Sequence, residues 1–169
     1  ISDNNNVVEK NFIHSVEPGA NAVVTGIEAR AGRAVYKNNI TRFGISKAGT
    51  SITAGHLIYG ILQNSPVNNN LFYYNTSYIG GTVSSGSSGS YCFYSAVSAV
   101  RDYRNNNFVN SRSGNGAHYA IGLSGTTGLT CDHNNLYATG TNGFTGSLAA
   151  VNYATLAQWQ SASGTDAMS

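Results

Sequence analysis

One short pattern recurs five times along this chain of 169 residues. Written as apolar, any, any, Asn, any, apolar, it matches Val8 to Ile13, Val35 to Ile40, Val67 to Phe72, Tyr103 to Phe108 and Cys131 to Leu136. The asparagines it aligns are Asn11, Asn38, Asn70, Asn106 and Asn134, at successive spacings of 27, 32, 36 and 28 residues. Self-similarity at such a period marks a solenoid, whose units are too small to bury a face alone and do so by stacking on one another. The two longer spacings contain SKAGTSITAG and TVSSGSSGSY, polar glycine-bearing stretches that fit loops projecting from a coil.

Asparagine suits a corner because it tolerates the left-handed backbone region. Stacked at the strand spacing, one amide per coil can donate to the next coil and accept from the previous one. The aligned asparagines are therefore expected to form a ladder, with their apolar neighbours inside. A weaker strand is visible as TGIEA, YGILQ and YAIGL from Thr25, Tyr59 and Tyr119, and as YSAVSA from Tyr94. With Ile27, Ile61, Ala96 and Ile121 inward, alternation sends Glu28, Leu62, Val97 and Gly122 to solvent. It also places Thr25, Tyr59, Tyr94 and Tyr119 inside as an aromatic stack. Thr155 to Ala162 reads as a short helix between a threonine N-cap and Gly164, with Trp159 packed over an end or side of the core. The expected organisation is one segment over 1–169, with coils over 1–144 and a final coil or side segment bearing the helix over 145–169.

Charged residues are 9% of the chain and the formal charge is +2, which supplies no basic patch for nucleic acid. No window of eighteen apolar residues exists, so no membrane insertion is expected. Cys92 and Cys131 fall at different registers of the repeat and read as free, buried thiols. Neither has a second ligand at metal spacing, and no cofactor or metal is expected. The carboxylates are Asp3, Glu9, Glu17, Glu28, Asp102, Asp132 and Asp166, with no close acidic pair, so no catalytic residue is assigned. Stacking is expected to bring Asp102 or Arg104 to Asp132 as a cross-coil ion pair. His133 is aligned with Lys10, Lys37, Asn69 and Asn105 in one solvated column. In NLFYYNTSY, alternation exposes at least one of Tyr73 and Tyr74, the candidate glycan contacts.

The corner asparagines and the YGI strand opening resemble the right-handed parallel β-helix family over residues 4 to 140. That resemblance implies an all-β solenoid of about five coils. The closing stretch YATLAQWQSASGTDAMS is similar to one found in the β-helix regions of large secreted bacterial surface proteins, type IX secretion cargo among them. What this implies is a secreted or cell-surface segment serving as a rigid spacer or adhesive surface. Its expected partners are the remainder of a longer chain, glycans, and other cell-surface or secretion-system proteins. The same architecture carries enzymes. The alternatives are accordingly a glycan-binding module, or a polysaccharide lyase or hydrolase fragment using Lys37, Arg42, Arg104, His118 or His133. The first coil carries no capping element before it, and the chain is expected to be a fragment.

Overall fold

A computed structural model describes residues 6–19, 22–30, 32–64 and 69–169; Asp3 and Val67 lie outside the described residues. Short extended segments separated by Asn, Gly and Ser turns wind level upon level. The first level is β1 (Asn6–Glu9), β2 (Phe12–His14) and β3 (Val23–Ala29), and the second is β4 (Ala34–Lys37), β5 (Ile40–Phe43) and β6 (Leu57–Gln63). The third comprises β7 (Asn70–Tyr73), β8 (Thr76–Ile79), the short β9 (Thr82–Val83) and β10 (Ser90–Ser95). The fourth repeats this with β11 (Arg101–Arg104), β12 (Asn107–Asn110), β13 (Ser113–Gly114) and β14 (His118–Leu123). The last holds β15 (Leu129–Asp132), β16 (Asn135–Ala138) and β17 (Gly143–Leu148), then β18 (Val151–Tyr153) and the helix α1 (Leu156–Ser163).

Equivalent strands pair in parallel from level to level. They form a first sheet (β1, β4, β7, β11, β15), a second (β2, β5, β8, β12, β16) and a third (β3, β6, β10, β14, β17), with β18 added antiparallel to the third. The fold is an all-β parallel β-helix, as the repeat implies. All three sheets feed one core: Tyr36 stacks on Phe72 at 4.6 Å, and Phe93 packs on Phe72, Tyr103 and Phe108 at 5.1, 4.5 and 5.4 Å.

An asparagine ladder locks the corner between the first and second sheets. Its members are Asn11, Asn39, Asn75, Asn106 and Asn134, the first four each donating from Nδ2 to the Oδ1 of the next at 2.9 to 3.1 Å. Each Oδ1 also accepts the backbone N–H of the preceding member. From Asn39 on, each Nδ2 additionally reaches a carbonyl one level back: Val8, Tyr36, Phe72 and Tyr103 in turn. Asn11, Asn106 and Asn134 thus stand where the repeat puts them, whereas Asn38 and Asn70 do not. The turn needs a left-handed residue immediately before each rung, and Asn38 fills that role at φ 54°. Asn70 opens β7, where its Oδ1 accepts the N–H of Ala34.

The third sheet also departs from the expected alternation. In β6, Gly60 and Ile61 are both buried, so Tyr59 and Leu62 both point out. The cause is close approach: a Cβ on Gly60 would meet the Ser77 hydroxyl at 1.9 Å, and one on Gly26 the Gly60 carbonyl at 2.5 Å. Bringing the backbone this far in bends the strand and turns two successive residues inward. Register then places Tyr91, not Tyr94, between Tyr59 and Tyr119, and Tyr94 between Leu62 and Gly122. Cys92 fills the Gly60 position and Phe93 the inward position assigned to Ala96, which lies beyond β10. The tyrosines therefore form an outer rib. Tyr59, Tyr91, Tyr119 and Phe144 stack at 5.5, 4.6 and 5.6 Å.

The helix closes the far end. Thr155 and Gln158 form a capping box, and Gly164 ends the helix in the left-handed region at φ 67°. Trp159 is completely buried over Gly146, where any Cβ would strike the indole at 2.1 Å. The buried Asp166 carboxylate accepts from Trp159 Nε1 at 2.9 Å and from Asn134 Nδ2 at 2.8 Å, taking the place of a sixth rung. Cys131 donates to the same carboxylate at 3.2 Å. Both cysteines are free and buried, and burial pushes the Cys92 thiol up to about 12.

Replacing Asn75 with Ala ends four hydrogen bonds in a dry corner and should lower stability by about 3 kcal/mol or more. Asn38→Gly keeps the left-handed turn and should stay within about 0.5 kcal/mol of wild type. Urea unfolding of the two variants checks the register; an equal loss in both would contradict it.

Candidate binding surface

Outward positions of the first sheet line up as columns. One runs Glu9, Lys37, Tyr73, Arg104, Asp132, and another Val7, Val35, Leu71, Asp102, Thr130. A third, along the corner, holds the left-handed residues Lys10, Asn38, Tyr74, Asn105 and His133, with φ between 54° and 59°. Lys37 and Lys10 are therefore in different columns, and His133 stands with Lys10 and Asn105 but not with Lys37 or Asn69.

The columns meet at Tyr73. Asp102 and Arg104 are two apart on β11 and face the same way, so the guanidinium grips the carboxylate through two bonds, Nε to Oδ1 at 2.7 Å and Nη2 to Oδ2 at 2.5 Å. Tyr73 donates its phenol to Asp102 at 2.9 Å, and the Arg104 guanidinium lies 5.6 Å from the Tyr73 ring centre. Burial, then the Asp102 hydrogen bond, raises the Tyr73 phenol above its ordinary value. Tyr74 turns out at the corner with 60% of its surface exposed, and the four residues Tyr73, Tyr74, Arg104 and Asn105 line a cleft of about 220 Å³.

The arrangement is electrically balanced and prebuilt. Around the cleft, Lys37 and Lys10 approach Glu9 at 3.3 and 3.8 Å, and the His133 ring lies 3.4 Å from the Asp132 carboxylate. Arg104 makes its direct ion pair within its own strand, to Asp102; stacking brings it beside Asp132 as expected, where it acts only as a longer-range attraction. Both Asp102 oxygens are engaged by Arg104, which fixes this carboxylate in place as an anchor for the Tyr73 phenol. An aromatic face, an exposed amide and a fixed guanidinium suit a hydroxylated ligand.

The residues proposed for turnover are scattered. Lys37 and Arg104 flank Tyr73, and His133 is at the corner one level beyond. Arg42 lies on β5, opposite His14 and Tyr78 on the second sheet. His118 is wholly buried, with Nδ1 3.0 Å from the Ser90 hydroxyl, and no substrate reaches it. The expected tyrosine stack exists but runs along the outside of the wall, with Tyr91 in place of Tyr94; the spacing of SYCFYS against YGILQ, aligned on its small central residue, carries that signal. Its rings spend their faces on one another, and the Tyr119 hydroxyl is bound to Asn152 at 2.9 Å. The rib stiffens the wall and presents edges, not platforms.

Fold and surface together define a parallel β-helix with an aromatic corner cleft. No family model matches the chain, and searches of curated proteins and of solved structures return no match. The class is carried by geometry alone.

Burial, and then the charge of the nearby Arg112, hold the His118 imidazole down at about 4 from its ordinary 6.5. The unfolded chain takes up this proton as pH falls through 6.5 and the folded chain resists until about 4. His118 therefore imposes no penalty above 6.5, and stability falls across that window by about 3 kcal/mol. Unfolding free energies at pH 7 and 4.5 should show the loss, and His118→Gln should flatten it.

Proposed function

We propose that this chain is a non-catalytic β-helix segment of a secreted or cell-surface protein, and that it acts as a rigid adhesive surface which contacts glycans at the Tyr73–Tyr74–Arg104–Asn105 cleft. The observation that carries this reading is Tyr74 itself. A tyrosine in the left-handed region costs about 1–2 kcal/mol relative to glycine, and here it holds a large aromatic ring out to solvent where Asn38 and Asn105 fill the same position at less cost. Strain retained for an exposed ring points to contact. The self-cancelling charges around the ring favour a neutral saccharide over a polyanion. The location rests on the resemblance to large secreted bacterial surface proteins, with type IX secretion cargo as the finer reading.

Tyr74→Asn separates function from folding. It should leave stability unchanged or raise it by about 1 kcal/mol, while weakening binding to an immobilised neutral polysaccharide at least about tenfold. Tyr74→Phe should retain binding. Wild-type affinity in Tyr74→Asn, or no retention of the wild type on a broad polysaccharide panel, would refute the contact. Release of reducing ends or unsaturated uronates from that panel would instead support the lyase or hydrolase reading.

A further inference from the structure

A second cleft lies on another side of the solenoid, at the turn between the second and third sheets. It measures about 470 Å³, inside the range of roughly 300–1,000 Å³ usual for small-molecule sites. One wall is the Glu17–Gly19 segment and the other is the loop through Ser46 to His56.

That loop is built to hold its shape. Ser46 N–H donates to the Thr50 carbonyl at 2.8 Å, the Ser46 and Thr50 hydroxyls are 2.8 Å apart, and Ile52 N–H reaches the Gly44 carbonyl at 3.0 Å. From behind, the buried Arg112 guanidinium clamps the carbonyls of Ile52 and Ala54, both at 3.0 Å, and that of Gly80. A binding wall fixed in advance loses little entropy on binding.

Its polar groups converge on one kind of ligand. His56 is 2% exposed, and its Nδ1 accepts the Ala22 N–H at 3.1 Å. The neutral ring must then carry its proton on Nε2, and no described group accepts it. Opposite, Glu17 spends Oε1 on the Lys47 N–H at 2.8 Å and leaves its second oxygen unengaged by any described group. Thr53 contributes a hydroxyl engaged by no described group, while Pro18 and Ile52 supply apolar surface. One fixed N–H donor, one carboxylate acceptor, hydroxyls and a small apolar patch match a polyhydroxylated ring. Among the described residues that line the cleft Glu17 is the sole formal charge, which disfavours phosphates and uronates relative to a neutral ligand. Among the described residues no three His, Cys, Asp or Glu groups gather to hold a metal ion.

We propose that this cleft binds a single neutral sugar unit, with Glu17 accepting from its hydroxyls and the His56 Nε2–H donating to one of them. The site is separate from the Tyr74 corner and does not depend on it.

The test is NMR titration of the full chain carrying Tyr74→Asn, which removes the corner contact, with methyl glycosides of glucose, galactose and mannose. Glucuronate and inorganic phosphate serve as charged probes. At least one neutral glycoside should shift the Ala22 and Lys47 amides and the His56 ring nitrogens, saturating by ~10 mM if the Kd is near 1 mM. Glu17→Gln, at an exposed position, should weaken that glycoside about fivefold to tenfold and admit glucuronate. Thr53→Val, also exposed, should weaken it more mildly. No shift at these three residues with any neutral glycoside would overturn the proposal. So would equal binding of phosphate or glucuronate by the Tyr74→Asn chain, or a Glu17→Gln chain that binds the glycoside unchanged.

Discussion

The asparagine column is the constraint on which the remaining structure hangs. Parallel strands joined by tight corners leave carbonyl and N–H groups at each turn with no strand partner, and in a dry interior each such group costs about 1–3 kcal/mol. An asparagine side chain carries both complements. From Asn39 to Asn106 each rung donates to the next rung and to a carbonyl one level back while accepting two N–H groups from the rung before. The chain of amides is directional, so its far end presents a donor. Asp166 meets that donor with an acceptor-only carboxylate, which is also why this acid can be buried: Trp159 Nε1, Cys131, Ser169 and Asn134 all direct protons at it. Ladder and helix are thus one hydrogen-bonded unit.

Rigid corners transmit their geometry to the third sheet. With the second sheet pinned, the interior is narrow where Thr41 and Ser77 face Gly26 and Gly60. Small residues there let the strands bend inward and turn the tyrosines out. The stacked rib that results recovers contact on the outside of the wall, each ring pair worth about 0.5–1.5 kcal/mol beyond its area. Buried arginines finish the turns in the same economy: Arg101 clamps the carbonyls of Ala99, Gly125 and Thr127 much as Arg112 clamps its three.

Periodicity made the solenoid legible, together with the helix, its caps and three of the five rungs. The two misplaced rungs share a cause. In the true register the residues two after each rung are Ile13, Thr41, Ser77, Phe108 and Leu136. A search for an apolar residue there passes over the second and third levels, where the neighbouring glycines bring a backbone so close that only bonded hydroxyls fit. At the second level the adjacent Asn38 and Asn39 make the slip a single residue, and at the third the run ending in Asn70 draws the pattern away from Asn75. Alternation across a short strand is local and suffices to mark Tyr73 and Tyr74 as surface candidates, whereas Arg104 and Asn105 join them only through a register fixed levels away. The Glu17–His56 cleft left no periodic trace, since it is made by loops whose lengths differ from level to level.

One position of the repeat remains open to variation in a way the others do not. The rung must be Asn, the residues flanking it inside must fill the core, and the strand positions must alternate. The residue just before the rung need only tolerate a positive φ, its side chain pointing to water. Within this chain that place is taken by Lys10, Asn38, Tyr74, Asn105 and His133: a cation, two amides, a phenol and an imidazole. Because levels stack at the strand spacing of about 4.8 Å, successive residues of this column stand close enough to touch a single ligand. A solenoid of this design can therefore change what it recognises by substitutions confined to the corner column, leaving the hydrogen bonds that hold the levels together intact.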